Sequence, residues 1–254
     1  MINIAERHQF IINELKKKGQ VYVPDLCRKL DVSSVTIRKD LKFLEDKDLL
    51  YRIYGGATQT NPYAMDRPVD EKEKLQSEEK NKIGMRAAGQ IEVNDSIIIA
   101  SGTTVLYVAR HIKPKEHLTV ITSALQVATV MLEHKETEVI MLGGTLRKTS
   151  SSVMGPYAEG TLKDFFCSKL YLGVDGIDTE YGLTTTNVME AHLNRQMIAV
   201  AQKTIVVADS TKFGRRGFGR ICGLEDIDEI ITDSGAPQHV ISDMEAMGVK
   251  VTIV

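Results

Sequence analysis

The stretch from Ser33 to Ala57 reads SSVTIRKDLKFLEDKDLLYRIYGGA, and it contains two signals for secondary structure. Ser33 is a suitable N-cap for a helix that continues to about Asp46, because its hydroxyl can accept a hydrogen bond from the first turn. LLYRIY, the Gly-Gly pair and ATQT then have the composition of a strand, a turn and a returning strand. The stretch therefore predicts a helix followed by a β-hairpin.

Two further helices are predicted before this one. IAERHQFIINELKKKG has apolar residues at helical spacing and ends at Gly19, with His8 as a packed side chain on the apolar side. VPDLCRKL places Pro24 at a first helical position and aligns Leu26 with Leu30. Three short helices followed by a hairpin are typical of a winged helix-turn-helix domain, which we expect over residues 1–60.

The third predicted helix separates an apolar face from a basic one. At about 100° per residue, three apolar residues cluster on one side: Ile37, Leu41 and Leu44. The other side and the flanks carry side chains suited to base edges, thymine methyl groups or phosphates: Ser34, Val35, Thr36, Arg38, Lys39 and Lys42. The period of two places Arg52 and Tyr54 on one face of the following strand, where a wing would contact DNA. The alternative is a solvated basic helix beside a hairpin.

The distribution of charge agrees with a polyanion partner at this end of the chain. The whole chain of 254 residues has a net charge of −2, but residues 1–60 hold eleven Lys and Arg against eight Asp and Glu. The remainder is acidic, with twenty-one basic and twenty-six acidic residues. A basic head on an acidic body favours double-stranded DNA as a partner, although an uneven soluble protein has the same pattern.

Cysteine usage and hydropathy indicate a cytoplasmic protein without a metal or other cofactor. Cys27, Cys167 and Cys222 are far apart and lack the spacing of a zinc site or of a disulfide framework. The sequence has no apolar run of about 18 residues and no signal-peptide layout, so no membrane contact is expected.

The remaining sequence predicts a linker and a larger α/β domain. Residues 61–80 are rich in charge and proline and are predicted to be a linker that enters a helix near its end. Residues 81–254 alternate short apolar runs with helical patterns, and the seven runs are DSIIIA, LTVIT, EVIML, KLYLGV, TIVVAD, DEIIT and KVTIV. Continuous apolar strands joined by helices predict a mostly parallel sheet covered on both faces.

Polar residues follow three of these strands and predict a pocket at one edge of the sheet. SGTT, Ser101 to Thr104, follows the first strand and opens a helix, so its amides and hydroxyls suit a phosphate. The segments LGVDGID, GLTTTNVMEAHLNRQM and ADSTKFG supply further candidates: Asp175, Gly176, Glu190, Arg195, Asp209 and Lys212. Ligands of open parallel sheets gather outside the carboxyl ends of the strands. For Glu190 and Arg195, an ion pair on the helix surface is equally consistent with the sequence.

The run VSSVTIRKDLKFLEDKDLLYRIYGGA resembles the N-terminal signature of the DeoR family of bacterial transcription regulators. In that family the wing has an Arg-x-His-Gly-Gly-Ala pattern, and Tyr54 takes the place of the histidine here. The later segments are similar to the effector-sensing domain of the same family, which resembles the ribose-5-phosphate isomerase fold and responds to phosphorylated sugars. The resemblance implies that Gly102, Thr103 and Thr104 hold the phosphate.

The resemblance further implies that Asp175, Glu190 and Lys212 face the sugar. Family members often have an acidic residue before the SGTT-type loop, where this chain has Ala100. The implied function is a repressor of a sugar-catabolism operon that a phosphorylated sugar releases from operator DNA, acting as a homo-oligomer, a dimer or tetramer.

Two alternatives remain from the sequence. The first is an isomerase-like enzyme that carries a DNA-binding domain. The second is a DNA-binding protein whose C-terminal half only oligomerises. The related isomerases have a lysine shortly after their Asp-Gly motif, whereas Ile177 to Met189 contains neither lysine nor arginine. This difference favours binding over catalysis.

Overall fold

The computed structural model describes residues 3–47, 49–53, 55–58, 68–114 and 116–254. The chain divides into two compact units, Met1–Met65 and Asp66–Val254. Tyr54 and residues 61–67 of the predicted linker lie outside the described residues.

The first unit contains three helices and a small sheet, as the winged helix-turn-helix prediction requires. Its elements in chain order are α1 (Ile4–Lys18), β1 (Gln20–Tyr22), α2 (Val23–Leu30), α3 (Ser34–Glu45), β2 (Tyr51–Ile53) and β3 (Gly56–Thr58). The sheet is antiparallel with the order β1-β3-β2, so the predicted hairpin is completed by a third strand. The fold prediction for this unit is confirmed.

Local chemistry explains where these helices begin and end. The Ser33 hydroxyl accepts a hydrogen bond from the Thr36 amide at 3.2 Å, and Gly19 ends α1 in the left-handed conformation. Ile37, Leu41 and Leu44 of α3 are buried in the core that joins the three helices. Gly56 allows β1 and β3 to pair, because a Cβ atom there would lie 2.0 Å from the Val21 carbonyl oxygen.

The second unit is a layered α/β domain. Its first half contains α4 (Val69–Glu73), α5 (Ser77–Ala88), β4 (Ser96–Ile99), α6 (Thr103–His111), β5 (Leu118–Thr122), α7 (Leu125–Met131), β6 (Thr137–Met141), β7 (Thr145–Arg147), β8 (Ser152–Met154) and α8 (Pro156–Leu162). Its second half contains β9 (Cys167–Leu172), β10 (Gly176–Asp178), β11 (Gly182–Thr185), α9 (Val188–Ala199), β12 (Ala201–Val207), β13 (Gly219–Cys222), β14 (Glu229–Thr232), α10 (Gln238–Ala246) and β15 (Lys250–Ile253), with short 3₁₀ turns at Ser210–Lys212 and Leu224–Asp226.

The seven predicted apolar strands form one parallel sheet with the order β15-β14-β12-β9-β4-β5-β6. Alternate residues of its central strands face two separate cores, one beneath α5, α6 and α7 and the other beneath α8, α9 and α10. The prediction of a mostly parallel sheet covered on both faces is therefore confirmed. The strand order reverses between β9 and β4, which makes the carboxyl ends of these strands the switch point of the sheet.

Three smaller features of the second unit have no counterpart in the sequence predictions. They are the β7–β8 hairpin, the antiparallel sheet β10-β11-β13 and the helix α4, which begins inside the predicted linker. Their strands have three or four residues, and α4 buries Val69 as its only fully buried side chain. Elements this short have too few residues to show a periodic pattern.

Among the described residues, every helix is too short or too polar to pass through a lipid bilayer. The same residues contain no group of three His, Cys, Asp or Glu side chains arranged to hold a metal ion.

Candidate functional site

The outer face of α3 presents a row of polar and basic side chains to solvent. Ser34, Val35, Arg38, Lys39 and Lys42 are exposed, in agreement with the helical-wheel prediction. Thr36 is half-buried, and its hydroxyl lies 3.0 Å from the Ser33 hydroxyl, so it takes part in the helix cap. The geometry therefore leaves the two lysines and Arg38 as the long side chains available to a polyanion.

A buried ion pair fixes α3 against α1. The Asp40 carboxylate accepts hydrogen bonds from Arg7 Nε at 2.5 Å and Nη2 at 2.9 Å, and His8 Nε2 lies 3.0 Å from it. Burial raises the pKa of Asp40, but its bonds to Arg7 and His8 lower that pKa by more, so the group is held ionised. Sequence reasoning missed this pair, although position 40 lies on the same helix face as Ile37 and Leu44.

Arg52 is the wing residue whose position the structure describes. Its amide donates a 3.0 Å hydrogen bond to Glu45 Oε1, and its guanidinium lies 3.7 Å from Glu45 Oε2. This weak, exposed contact ties the wing to the end of α3 and leaves the guanidinium accessible.

In the second unit, a cleft opens at the switch point of the sheet. The loops after β4, β9 and β12, together with the first turn of α9, bring seven predicted residues to its wall: Ser101, Gly102, Thr103, Thr104, Asp175, Glu190 and Lys212. Gly173 permits the first two loops to approach, because a Cβ atom there would lie 3.1 Å from the Ser101 carbonyl oxygen. We refer to this cleft as the switch-point pocket.

The N-terminus of α6 forms one end of the switch-point pocket. Gly102 precedes the helix with φ of 130°, a conformation that favours glycine, and no side chain caps the first turn. Thr103 and Thr104 are buried at this end. The first amides of a helix have no partner within the helix, so they can bind an oxyanion together with the positive end of the helix dipole.

Asp175 is held by three donors in the wall of the pocket. Lys72 Nζ donates to Oδ1 at 2.9 Å, and Oδ2 accepts from the Thr185 hydroxyl at 3.1 Å and the Thr186 amide at 3.3 Å. Burial raises the pKa of Asp175, but the positive charges of Lys72 and Lys212 lower it by more. The carboxylate is therefore an acceptor of hydrogen bonds.

Glu190 provides an unused acceptor in the same pocket. Arg147 Nη1 lies 2.7 Å from Glu190 Oε2, and both side chains are about nine-tenths buried. Within the described part of the chain, Glu190 Oε1 and Thr149 Oγ1 are buried atoms without a hydrogen-bond partner. Both residues line the pocket, so a ligand with hydrogen-bond donors can satisfy them.

Three of the predicted residues lie outside the wall of the switch-point pocket. Asp209 is buried and accepts from the Thr211 amide at 3.1 Å, so it caps the 3₁₀ turn that carries Lys212. Arg195 is exposed on α9, one residue after the pocket residue Asn194. Gly176 lies in β10, where a Cβ atom would be 2.4 Å from the Arg215 carbonyl oxygen, so its role is close packing.

The structure adds pocket residues that sequence reasoning did not select. They come from α4, from the β7–β8 hairpin and from around α9: Val69, Lys72, Arg147, Thr149, Ser150, Thr185 and Asn194. The hairpin residues belong to the polar segment GGTLRKTSSS, which follows β6. The rule that ligands bind outside the carboxyl ends of parallel strands, which selected the other three loops, therefore applies to this segment as well. No comparable signal exists for Lys72.

The charges of the pocket suit an anion that also carries hydroxyl groups. Lys72, Arg147 and Lys212 supply three positive charges against two from Asp175 and Glu190. An oxyanion can bind at the α6 N-terminus while hydroxyl groups donate to the two carboxylates.

A basic helix-turn-helix unit followed by an α/β unit with a polar pocket defines a DNA-binding regulator with a second candidate site. Family models agree: residues 7–62 match the DeoR-like helix-turn-helix domain, and residues 75–234 match the DeoR C-terminal sensor domain. The chain belongs to the DeoR family of transcription regulators.

Relatives match the chain along nearly its whole length. It is 38% identical over 253 residues to a putative aga operon transcriptional repressor of Escherichia coli O157:H7, covering 98% of this chain and 94% of the relative. It is 35% identical to the uncharacterized HTH-type transcriptional regulator YulB of Bacillus subtilis (strain 168), and the match covers 99% of this chain and 97% of the relative. The relatives are named as transcriptional regulators, and membership of the DeoR family sets the enzyme alternative aside.

The fold is also similar to ribose-5-phosphate isomerase A from Neisseria gonorrhoeae. That similarity covers 56% of each chain, with 14% identity and a TM-score of 0.40.

Proposed function

We propose that the protein is a repressor that binds operator DNA through its first unit and is released by a phosphorylated sugar in the switch-point pocket. The observation that carries the proposal is the composition of the pocket. It combines the uncapped N-terminus of α6, more cationic than anionic side chains, and two buried oxygen atoms without a hydrogen-bond partner among the described residues, Glu190 Oε1 and Thr149 Oγ1. The description of the E. coli relative as a repressor supports the direction of regulation.

The DNA-binding face consists of the exposed side of α3 with the wing. Lys39, Lys42 and Arg38 are placed to reach bases or phosphates, while Ser34 and Thr36 lie at the N-terminus of α3 near a phosphate. Val35 is an exposed apolar side chain suited to a thymine methyl group. Arg52, and Tyr54 from the sequence pattern, complete the face at the wing.

In the pocket, the phosphate binds at Gly102, Thr103 and Thr104 with Lys212 beside it. The hydroxyl groups of the sugar donate to Glu190, which is paired with Arg147, and to Asp175, whose pKa is lowered by neighbouring cations. Effector binding shifts the population toward a form with lower affinity for DNA, which requires unequal affinity for the two forms. A homo-oligomer in the cytoplasm, with two-fold symmetry matching its operator, fits this function.

Lys39→Ala is expected to weaken operator binding about tenfold or more, because it removes a contact to a base or phosphate. Operator DNA is obtained by sequencing the genomic fragments that the purified protein retains, and affinity is measured by fluorescence anisotropy. Lys16→Ala, which removes an exposed lysine from α1, is the matched control and should bind DNA normally. Retention of full affinity by Lys39→Ala would contradict the assignment of α3 as the reading helix.

Thr103→Val is expected to weaken effector binding about tenfold with unchanged operator affinity, because it removes a hydroxyl from the phosphate end at almost constant volume. Binding is measured as the thermal shift produced by glycerol 3-phosphate, ribose 5-phosphate and a series of hexose phosphates. Thr129→Val alters an exposed threonine on α7 and serves as the control. If none of these compounds raises the melting temperature of the unaltered protein, the proposed effector class is wrong.

A further inference from the structure

The short helix α4 forms part of the pocket wall, although along the chain it lies between the two segments that match the family models. The matched domains cover residues 7–62 and 75–234, and α4 spans Val69–Glu73. Val69 and Lys72 nevertheless line the switch-point pocket. The segment that joins the DNA-binding unit to the α/β unit along the chain therefore contributes directly to the pocket.

Backbone contacts hold α4 in this position. The Val69 amide donates to the Thr149 carbonyl oxygen at 2.8 Å, and Thr149 is itself a pocket residue. Beneath the helix, the buried Lys80 ammonium donates to the Lys72 and Leu75 carbonyl oxygens at 2.6 and 2.5 Å. These contacts do not involve the side chain of Lys72, which is left to interact with the pocket.

The ion pair between Lys72 and Asp175 is suited to sharing with a ligand. The two side chains are 25% and 23% exposed, so the pair is not sealed off and a ligand in the pocket can reach it. Asp175 Oδ2 already accepts from Thr185 and Thr186, so the carboxylate keeps partners when Lys72 turns toward a second anion.

Lys72 and Lys212 are the pocket cations that are available to a dianion. Arg147 is already paired with Glu190 at 2.7 Å in a buried position. Lys72 and Lys212 both line the pocket, and Lys72 Nζ lies 2.9 Å from Asp175 Oδ1. A phosphate carrying close to two negative charges there attracts both ammonium groups.

We propose that Lys72 binds the anionic group of the effector while remaining in contact with Asp175, so that effector occupancy tightens α4 onto the α/β unit. The inference rests on the proposed function of the pocket. It adds that Lys72 transmits the occupancy of the pocket to α4, the helix in the connecting segment. Because binding and tightening are linked, docked α4 must raise effector affinity by the same factor by which the effector favours the docking of α4.

The test follows amide hydrogen exchange in residues 68–80 of the full chain. The ligands are the sugar phosphate with the largest thermal shift, inorganic phosphate, and chloride at matched ionic strength. In the unaltered protein, the sugar phosphate should slow exchange in this segment about tenfold. Lys72→Met should bind it about tenfold more weakly and lose the slowing, whereas Lys72→Arg, which keeps the charge, should retain most of both.

Lys74→Met is the matched control, because Lys74 is exposed two residues further along and is not a pocket residue. Equal binding and equal slowing in Lys72→Met and the unaltered protein would overturn the proposal and leave the proposed function intact. Slowing by inorganic phosphate alone, dependent on Lys72, would support the role of Lys72 and contradict a sugar effector. No slowing by either ligand would overturn the proposal, and the thermal shifts would then decide the proposed function separately.

Discussion

Glu229→Gln is expected to lower the free energy of unfolding of the α/β unit by about 2–3 kcal/mol at pH 7. Glu229 is fully buried at the start of β14, where its carboxylate accepts from Lys203 at 2.8 Å, Thr252 at 2.8 Å and Gln90 at 3.0 Å. Burial raises the pKa of Glu229, but these partners lower it by more, to about 2. The expected loss is smaller than the free energy that corresponds to the whole pKa shift of Glu229, because Lys203 is partly exposed and its charge is screened by water.

The sign of the effect fixes its pH dependence. A carboxylate whose pKa falls on folding stabilises the folded state above its ordinary pKa of about 4.3, and this stabilisation is lost as the pH falls toward 2. Urea denaturation between pH 7 and pH 3 should therefore show a decline of stability that is less steep in Glu229→Gln than in the unaltered protein, because other carboxylates with lowered pKa values remain in the variant. Glu245→Gln, at an exposed position on α10, should follow the unaltered protein. Parallel curves for all three proteins would contradict the assignment.

The seven-stranded sheet could be predicted because each strand is a continuous apolar run. A strand such as SIII in β4 is buried on both faces of a parallel sheet, so its sequence carries the signal without a partner strand. The three-residue strands β7 and β8 carry no such signal, because pairing with each other decides their conformation. Length therefore separates the elements that were predicted from those that were not.

The pocket could be predicted only where its residues follow a long strand. Thr103 and Asp175 lie within a few residues of the ends of β4 and β9, and the geometry of parallel sheets brings such positions together. Lys72 pairs with Asp175 across 103 positions of the chain, and no local pattern links the two. The cation that our further inference depends on is thus visible only in three dimensions.

Asp40 illustrates the same limit in the DNA-binding unit. Its spacing from Ile37 and Leu44 places it on the buried face of α3, where a carboxylate is unexpected without a partner. That partner, Arg7, lies 33 residues earlier in α1. The wheel therefore located the buried face correctly but could not show that an ion pair occupies part of it.

Asp40→Ala is expected to destabilise the first unit by about 3–5 kcal/mol, because it leaves the Arg7 guanidinium buried without its counter-ion. Both side chains are less than a tenth exposed, so water cannot replace the lost carboxylate. This cost is comparable to the whole stability of many domains of this size, so operator binding should be lost as well. The thermal shift produced by an effector in the α/β unit should persist, since the described residues that line the pocket all belong to the second unit.

A double-mutant cycle measures how much of the stability of the first unit comes from the interaction between Arg7 and Asp40 itself. Arg7→Met and Asp40→Leu should each destabilise the unit, measured by hydrogen exchange of the Ile37 and Leu41 amides, while the double variant should lose less than the sum. Asp46→Ala, at the exposed end of α3, is the control. Because the double variant keeps α3 packed with Lys39 and Arg38 unaltered, it should regain operator binding. Additive losses in the cycle would show that Arg7 and Asp40 act independently and would contradict a role for their pair in holding α3 against α1.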